Sequence, residues 1–76
     1  MALKVRNLDP EGLAARYGIT SGDEIIKING YQIRDSFDLA YCSSEYQLNI
    51  LLKTKAGTQK RVKIIRDSML FLGIEP

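Results

Sequence analysis

Gly18-Ile19-Thr20-Ser21-Gly22-Asp23-Glu24-Ile25-Ile26-Lys27-Ile28-Asn29-Gly30 is the stretch whose reading decides the fold. Gly18 stands where a helix ending at Tyr17 needs a left-handed residue, which glycine adopts without a Cβ penalty. Ser21-Gly22-Asp23 is turn chemistry, because glycine admits positive φ and the Ser and Asp side chains bond nearby backbone groups. Ile25, Ile26 and Ile28 are β-branched and predict a strand with Ile26 and Ile28 on one face. Asn29-Gly30 closes the stretch with the strongest short hairpin signal. Helix end, turn, strand and tight turn thus follow one another within a single short run.

Upstream, Leu3 to Leu8 opens with Leu3 and Val5 on one face and Lys4 and Arg6 on the other, the pattern of a half-buried strand. Asp9 is placed to cap a helix with Pro10 at its first position, and Glu11 suits the dipole of the first turn. Leu13, Ala14 and Tyr17 would form its apolar face. Downstream, Tyr31-Gln32-Ile33 reads as a short extended segment. Asp35 or Ser36 would cap a second helix from about Phe37 to Ser44, with Phe37, Ala40 and Tyr41 on one stripe and Leu39 and Cys42 beside another. Leu48, Ile50 and Leu52 alternate with Asn49 and Lys53, while Leu51 falls on the outer face. Ala56-Gly57-Thr58 is a turn, and Val62 with Ile64 returns as the partner strand. The tail, Met69 to Pro76, is apolar for a chain end and is expected to pack on the core or continue into more protein. The order predicts a small α+β fold: an antiparallel, partly open β-barrel of five to six strands with two short helices.

Seventy-six residues with 45% hydrophobic and 26% charged side chains suit one small globular domain, spanning 1–76. No apolar run reaches the roughly 18 residues of a membrane-spanning helix, and the N-terminus has no signal-peptide core. Met1 is therefore read as a native start and the domain as cytoplasmic. The single cysteine forbids an internal disulfide, and with no histidine in the chain the commonest general base and metal ligand are missing. The net charge of +2 singles out no partner.

Two segments carry a family resemblance. Leu8-Asp9-Pro10-Glu11-Gly12-Leu13-Ala14-Ala15-Arg16-Tyr17-Gly18-Ile19 is similar to the pattern V-x-P-x-S-P-A-x-x-A-G-L, and Gly22 to Gly30 to G-D-x-I-x-x-I-N-G. Together with Asp38-Leu39 these resemble PDZ domains of the bacterial, circularly permuted kind, over nearly the whole chain. Gly12 departs from the family's usual serine. A narrower resemblance rests on Asp35-Ser36-Phe37-Asp38-Leu39-Ala40-Tyr41 and on Leu72-Gly73-Ile74-Glu75-Pro76. These are similar to the N-terminal PDZ-like domain of a family of radical-SAM-type iron–sulfur proteins, whose helix motif is D-x-x-D-Y; Leu39 replaces its tyrosine. That resemblance implies a domain excised from a longer protein. The parent would hold an iron–sulfur cluster and S-adenosylmethionine, while this domain itself holds no cofactor and no metal.

The family resemblance implies a peptide-carboxylate loop at Phe71, Leu72, Gly73 and Ile74, built from consecutive backbone N–H groups that need no particular side chain. The peptide would add as a strand beside Ile74, its last side chain entering a groove walled by Phe37, Ala40, Tyr41, Leu72 and Ile74, with Arg66 near its carboxylate. The plainer reading makes Phe71 to Ile74 the closing strand of the barrel, and Pro76 lacks the N–H that strand addition uses. Gly18, Gly22, Asp23, Asn29 and Gly30 would define the fold rather than bind.

Other features favour plain readings. Asp23 and Glu24 point to opposite faces of a strand and make a poor acid–base pair. The cations Lys53, Lys55, Lys60, Arg61, Lys63 and Arg66 lack the interleaved aromatics of an RNA-binding face. A solvated hairpin that discourages edge aggregation explains them. Cys42, with no histidine or cysteine partner, reads as a small core residue. Function then divides between a non-catalytic interaction module, binding a peptide C-terminus or a neighbouring domain of the same chain, and a regulatory or substrate-positioning domain of a radical-SAM-type enzyme. The PDZ domain of a bacterial protease is a further alternative. No nucleic acid or membrane partner is expected. A C-x-x-x-C-x-x-C cluster downstream of Pro76 would support the radical-enzyme reading, and a membrane span with H-E-x-x-H would support the protease.

Overall fold

The computed structural model describes residues 2–65 and 72–75. Their elements in order are β1 (Leu3–Lys4), β2 (Asn7–Leu8), α1 (Leu13–Arg16), β3 (Glu24–Ile28), β4 (Tyr31–Gln32), α2 (Ser36–Ser43), β5 (Gln47–Lys53), β6 (Gln59–Ile65) and β7 (Ile74–Glu75). The fold is α+β with antiparallel pairing. β1, β3, β5 and β6 lie side by side in one sheet, with β4 paired to β3, and β2 and β7 form a separate two-stranded sheet. The arrangement is two sheets rather than one barrel. The single strand expected from Leu3 to Leu8 is divided between them: β1 pairs with β3 and β2 with β7. Buried Val5 lies at the crossing, exchanging backbone bonds with Asp23 and Gly22 at 2.8 Å each.

The longest ladder joins β5 to β6, from Gln47↔Ile65 to Lys53↔Gln59. Leu48, Ile50 and Leu52 face Ile64, Val62 and Lys60, and the apolar members fill the core as their alternation demands. β3 departs from the expected alternation. A register shift between Ile25 and Lys27 inserts an extra residue, so Ile25 and Ile28 are buried and Ile26 is only half-buried. Ile26 and Ile28 therefore do not share the buried face.

The turns follow their residues closely. Gly18, at φ 88°, ends α1 with Gly18 N–H on the Ala15 carbonyl and Ile19 N–H on the Ala14 carbonyl, the paired bonds of a Schellman motif. Ala14 and Ile19 are both buried and supply its apolar contact. Asp23 is 3% exposed, and its carboxylate accepts from the Thr20 N–H (3.0 Å) and hydroxyl (3.2 Å) across Gly22. Asn29 and Gly30 both have positive φ, 53° and 79°, as a two-residue hairpin between Ile28 and Tyr31 requires. Asn29 also laces this turn to β5: its side chain accepts from the Asn49 N–H at 2.8 Å and donates to the Gln47 carbonyl at 3.0 Å.

α1 is shorter than its capping pattern predicts. Its N-cap is Gly12, which has no side-chain bond to the helix. Asp9 instead caps the turn before it, accepting from the Glu11 N–H at 2.9 Å while its carbonyl accepts from Gly12. Leu13 and Ala14 are buried, but Tyr17 is exposed and only grazes the Ile65 carbonyl at 3.5 Å.

Candidate functional site

The site grows from α2 and its start. Asp35 is the N-cap; its carboxylate accepts from the Asp38 N–H at 2.9 Å. Asp38 reaches back one residue beyond the cap, accepting from the Arg34 N–H at 3.0 Å and lying 3.6 Å from the Arg34 guanidinium. The Asp35–Asp38 spacing is therefore a capping device that sets where the helix begins. Leu39 and Cys42, one turn apart, are the buried residues of α2 and orient it on the core.

That orientation turns Phe37 and Tyr41 outward, at 83% and 72% exposure. The stripe expected to wall the groove is thus divided. Tyr41 stands beside Tyr31, ring centroids 5.6 Å apart and tilted by 44°. Ala40 does face Leu72, Gly73 and Ile74 across a groove of about 280 Å³, whose remaining lining is Ser36, Leu39 and Ser43. Phe37 and Tyr41 are not among its lining residues, because the Leu39–Cys42 stripe and not the aromatic one meets the core. Phe71 and Arg66 lie outside the described residues.

The loop wall has its own anchors. The Leu72 carbonyl accepts from the Ala14 N–H and the Gly73 carbonyl from the Asp9 N–H, both at 2.9 Å. β7 then pairs with β2 through Leu8↔Ile74 and Asn7↔Glu75. With the carbonyls of Gly73 and Glu75 bonded to Asp9 and Arg6 on the β2 side, alternation directs the N–H and C=O of Ile74 to the opposite edge. That edge has no strand partner among the described residues.

Gly12 and Gly73 make this placement possible. A Cβ on Gly12 would fall 2.7 Å from the Leu72 oxygen and 2.8 Å from the Gly73 Cα; one on Gly73 would fall 3.0 Å from the Gly12 Cα. Gly73 also has φ 81°, which favours glycine on conformational grounds. Gly12 has φ −77°, open to any residue, so its requirement is purely steric. This pairing, and the two serines in the groove, escaped the residue patterns. The one available signal was Gly12 itself, a glycine at a helix start where a capping side chain is favoured.

The fold-defining residues Gly18, Gly22, Asp23, Asn29 and Gly30 are all turn residues, and none lines this groove. On the buried side of α2, burial pushes the Cys42 thiol above its ordinary range, and the Asp38 and Glu45 carboxylates add to the shift. Among the described residues no group of three or more His, Cys, Asp or Glu is placed to hold a metal ion. No helix among them is long and apolar enough to cross a membrane. Neither a protein-family model nor a curated protein sequence matches this chain.

Proposed function

We propose that the chain is a PDZ-like, non-catalytic interaction domain that takes the C-terminus of an extended peptide between α2 and β7. The N–H groups of Leu72, Gly73 and Ile74 would receive the terminal carboxylate, and the peptide would lie along the edge of β7 opposite β2. The observation that carries this reading is the meeting of two distant segments, Ser36–Ser43 and Leu72–Ile74, in one groove beside that edge. At about 280 Å³ the groove lies below the roughly 300–1,000 Å³ of small-molecule sites. It suits one anchoring apolar side chain, with main-chain bonds supplying the rest. Docking of a neighbouring domain of the same chain would use the same walls without a free carboxylate.

Amide-resolved NMR titration with a pooled library of C-terminal peptides tests this. Saturable shifts at Leu72, Gly73 and Ile74, abolished when the peptide termini are amidated, are expected. Shifts that survive amidation would favour internal or domain docking, and silence at those three amides would remove the peptide reading.

A further inference from the structure

A second concavity lies away from the groove, where β1, the Thr20–Asp23 turn and the β5–β6 hairpin converge. It is a cleft of about 700 Å³ lined by Lys4, Arg6, Lys53 and Lys55, with Glu24 as its one carboxylate. The sheet register explains the gathering. Lys4 pairs with Glu24 on β3, and Glu24 pairs with Lys53 on β5, so the three side chains share the outer face in one row. Glu24 stands between two lysines without closing on either: among the described residues the ion pair is Arg34–Asp38. Four cations thus meet one carboxylate in a molecule whose net charge is only +2.

Backbone geometry shapes the cleft further. A Cβ on Gly22 would come within 2.8 Å of the Lys55 Cγ and Cδ, so the bare glycine lets the Lys55 methylenes lie across the turn. Lys55 lines the cleft with its methylenes packed in this way, and less side-chain freedom remains to be lost on binding. The hairpin turn is fixed by Thr54, which bonds Thr58 and Gly57. Arg6 adds a planar fork suited to paired anionic oxygens.

We propose that this cleft binds a small molecule carrying a multiply charged anionic group of the diphosphate class. A single carboxylate would leave most of the cationic charge uncompensated, whereas a diphosphate brings several charges within a few ångströms. A neighbouring concavity of about 550 Å³ on the same sheet face, lined by Lys27, Asn29, Gly30, Asn49, Leu51 and Arg61, is a built-in control. It also carries cations, with Lys27 in register with Leu51 and Leu51 with Arg61. There, charge is present without the Thr20–Asp23 and Thr54–Thr58 turns that wall the cleft.

The test is NMR titration of the intact chain with inorganic pyrophosphate at constant ionic strength. The expected result is saturable shifts at Ser21, Gly22, Lys55 and Gly57. Combining Lys4→Gln with Lys53→Gln, both on the exposed outer face, should raise the apparent Kd at least tenfold. Lys27→Gln with Arg61→Gln should change it less than twofold. Equal weakening by the two pairs, non-saturating shifts, or no response would overturn the proposal.

Discussion

The Thr20–Asp23 turn and the Leu72–Ile74 loop both hinge on a left-handed glycine, yet they are held at very different ranges. At the first, Asp23 accepts twice from Thr20, three residues away, and the turn so closed then bonds Val5 and Arg6. At the second, Gly73 is held by Asp9 and by contact with Gly12, at the far end of the chain. A locally bonded turn can form as soon as its few residues meet. The loop exists only after the sheet has brought α1 and β7 together. Stability should therefore concentrate in the first region, and the response to a bound peptide in the second.

The largest expected effect tests the first half of that contrast. Ile25 is fully buried in β3 directly after the Thr20–Asp23 turn. Ile25→Ala should cost about 2–5 kcal/mol, a large share of the stability of so small a domain, in urea unfolding. A loss below about 1 kcal/mol would mean that the strand is not central to the core.

Gly12→Ala tests the second half. At the permissive φ of Gly12, alanine would ordinarily stabilise by about 0.4–1 kcal/mol through the unfolded chain. The contact with backbone at 2.7 Å and 2.8 Å opposes this, and overpacking of this kind costs about 1–3 kcal/mol. A net loss is expected, accompanied by amide shifts at Leu72 to Ile74 and weakened peptide binding. A variant as stable as the parent, with unchanged amides at those residues, would show that the glycine pair does not set the loop.

The smallest effect concerns Cys42, on the face of α2 that links the core to the groove. Burial, then the Asp38 and Glu45 carboxylates, raises its thiol in the folded chain. As pH rises past the ordinary thiol range of about 8.5, the unfolded chain loses this proton first. The folded chain then binds more protons, so stability present below that range declines as pH climbs through the raised value. Cys42→Ala should flatten the stability–pH curve above the ordinary thiol range of about 8.5. An unchanged slope would place the decline on other groups.

The same contrast of ranges governs what was legible beforehand. Gly18, Gly22 and Asn29-Gly30 could be read because positive φ is a demand of the turn itself, and Asp23 because its carboxylate is satisfied by Thr20, three residues away. The bulge after Ile25 could not, since it depends on pairing with β5, and it moved burial from Ile26 to Ile25. Nor could the division of Leu3 to Leu8, which follows from β2 finding β7. Ala40, Leu72, Gly73 and Ile74 do line the groove, whereas Phe37 and Tyr41 do not, because two neighbouring stripes compete on one short helix. Leu39 and Cys42 win that competition, and the aromatic side chains are turned to solvent.

The two-residue β2–β7 pair has a kinetic meaning. It closes a loop running through nearly every other described element, while the β5–β6 hairpin closes over a single tight turn. The entropy of so long a closure is offset only after the intervening strands have condensed. A ladder this short adds few bonds in return, so it belongs with the contacts that form last and open first. The groove would then be assembled in the final step of folding, and an occupant bridging α2 and β7 would act as a clasp on that step.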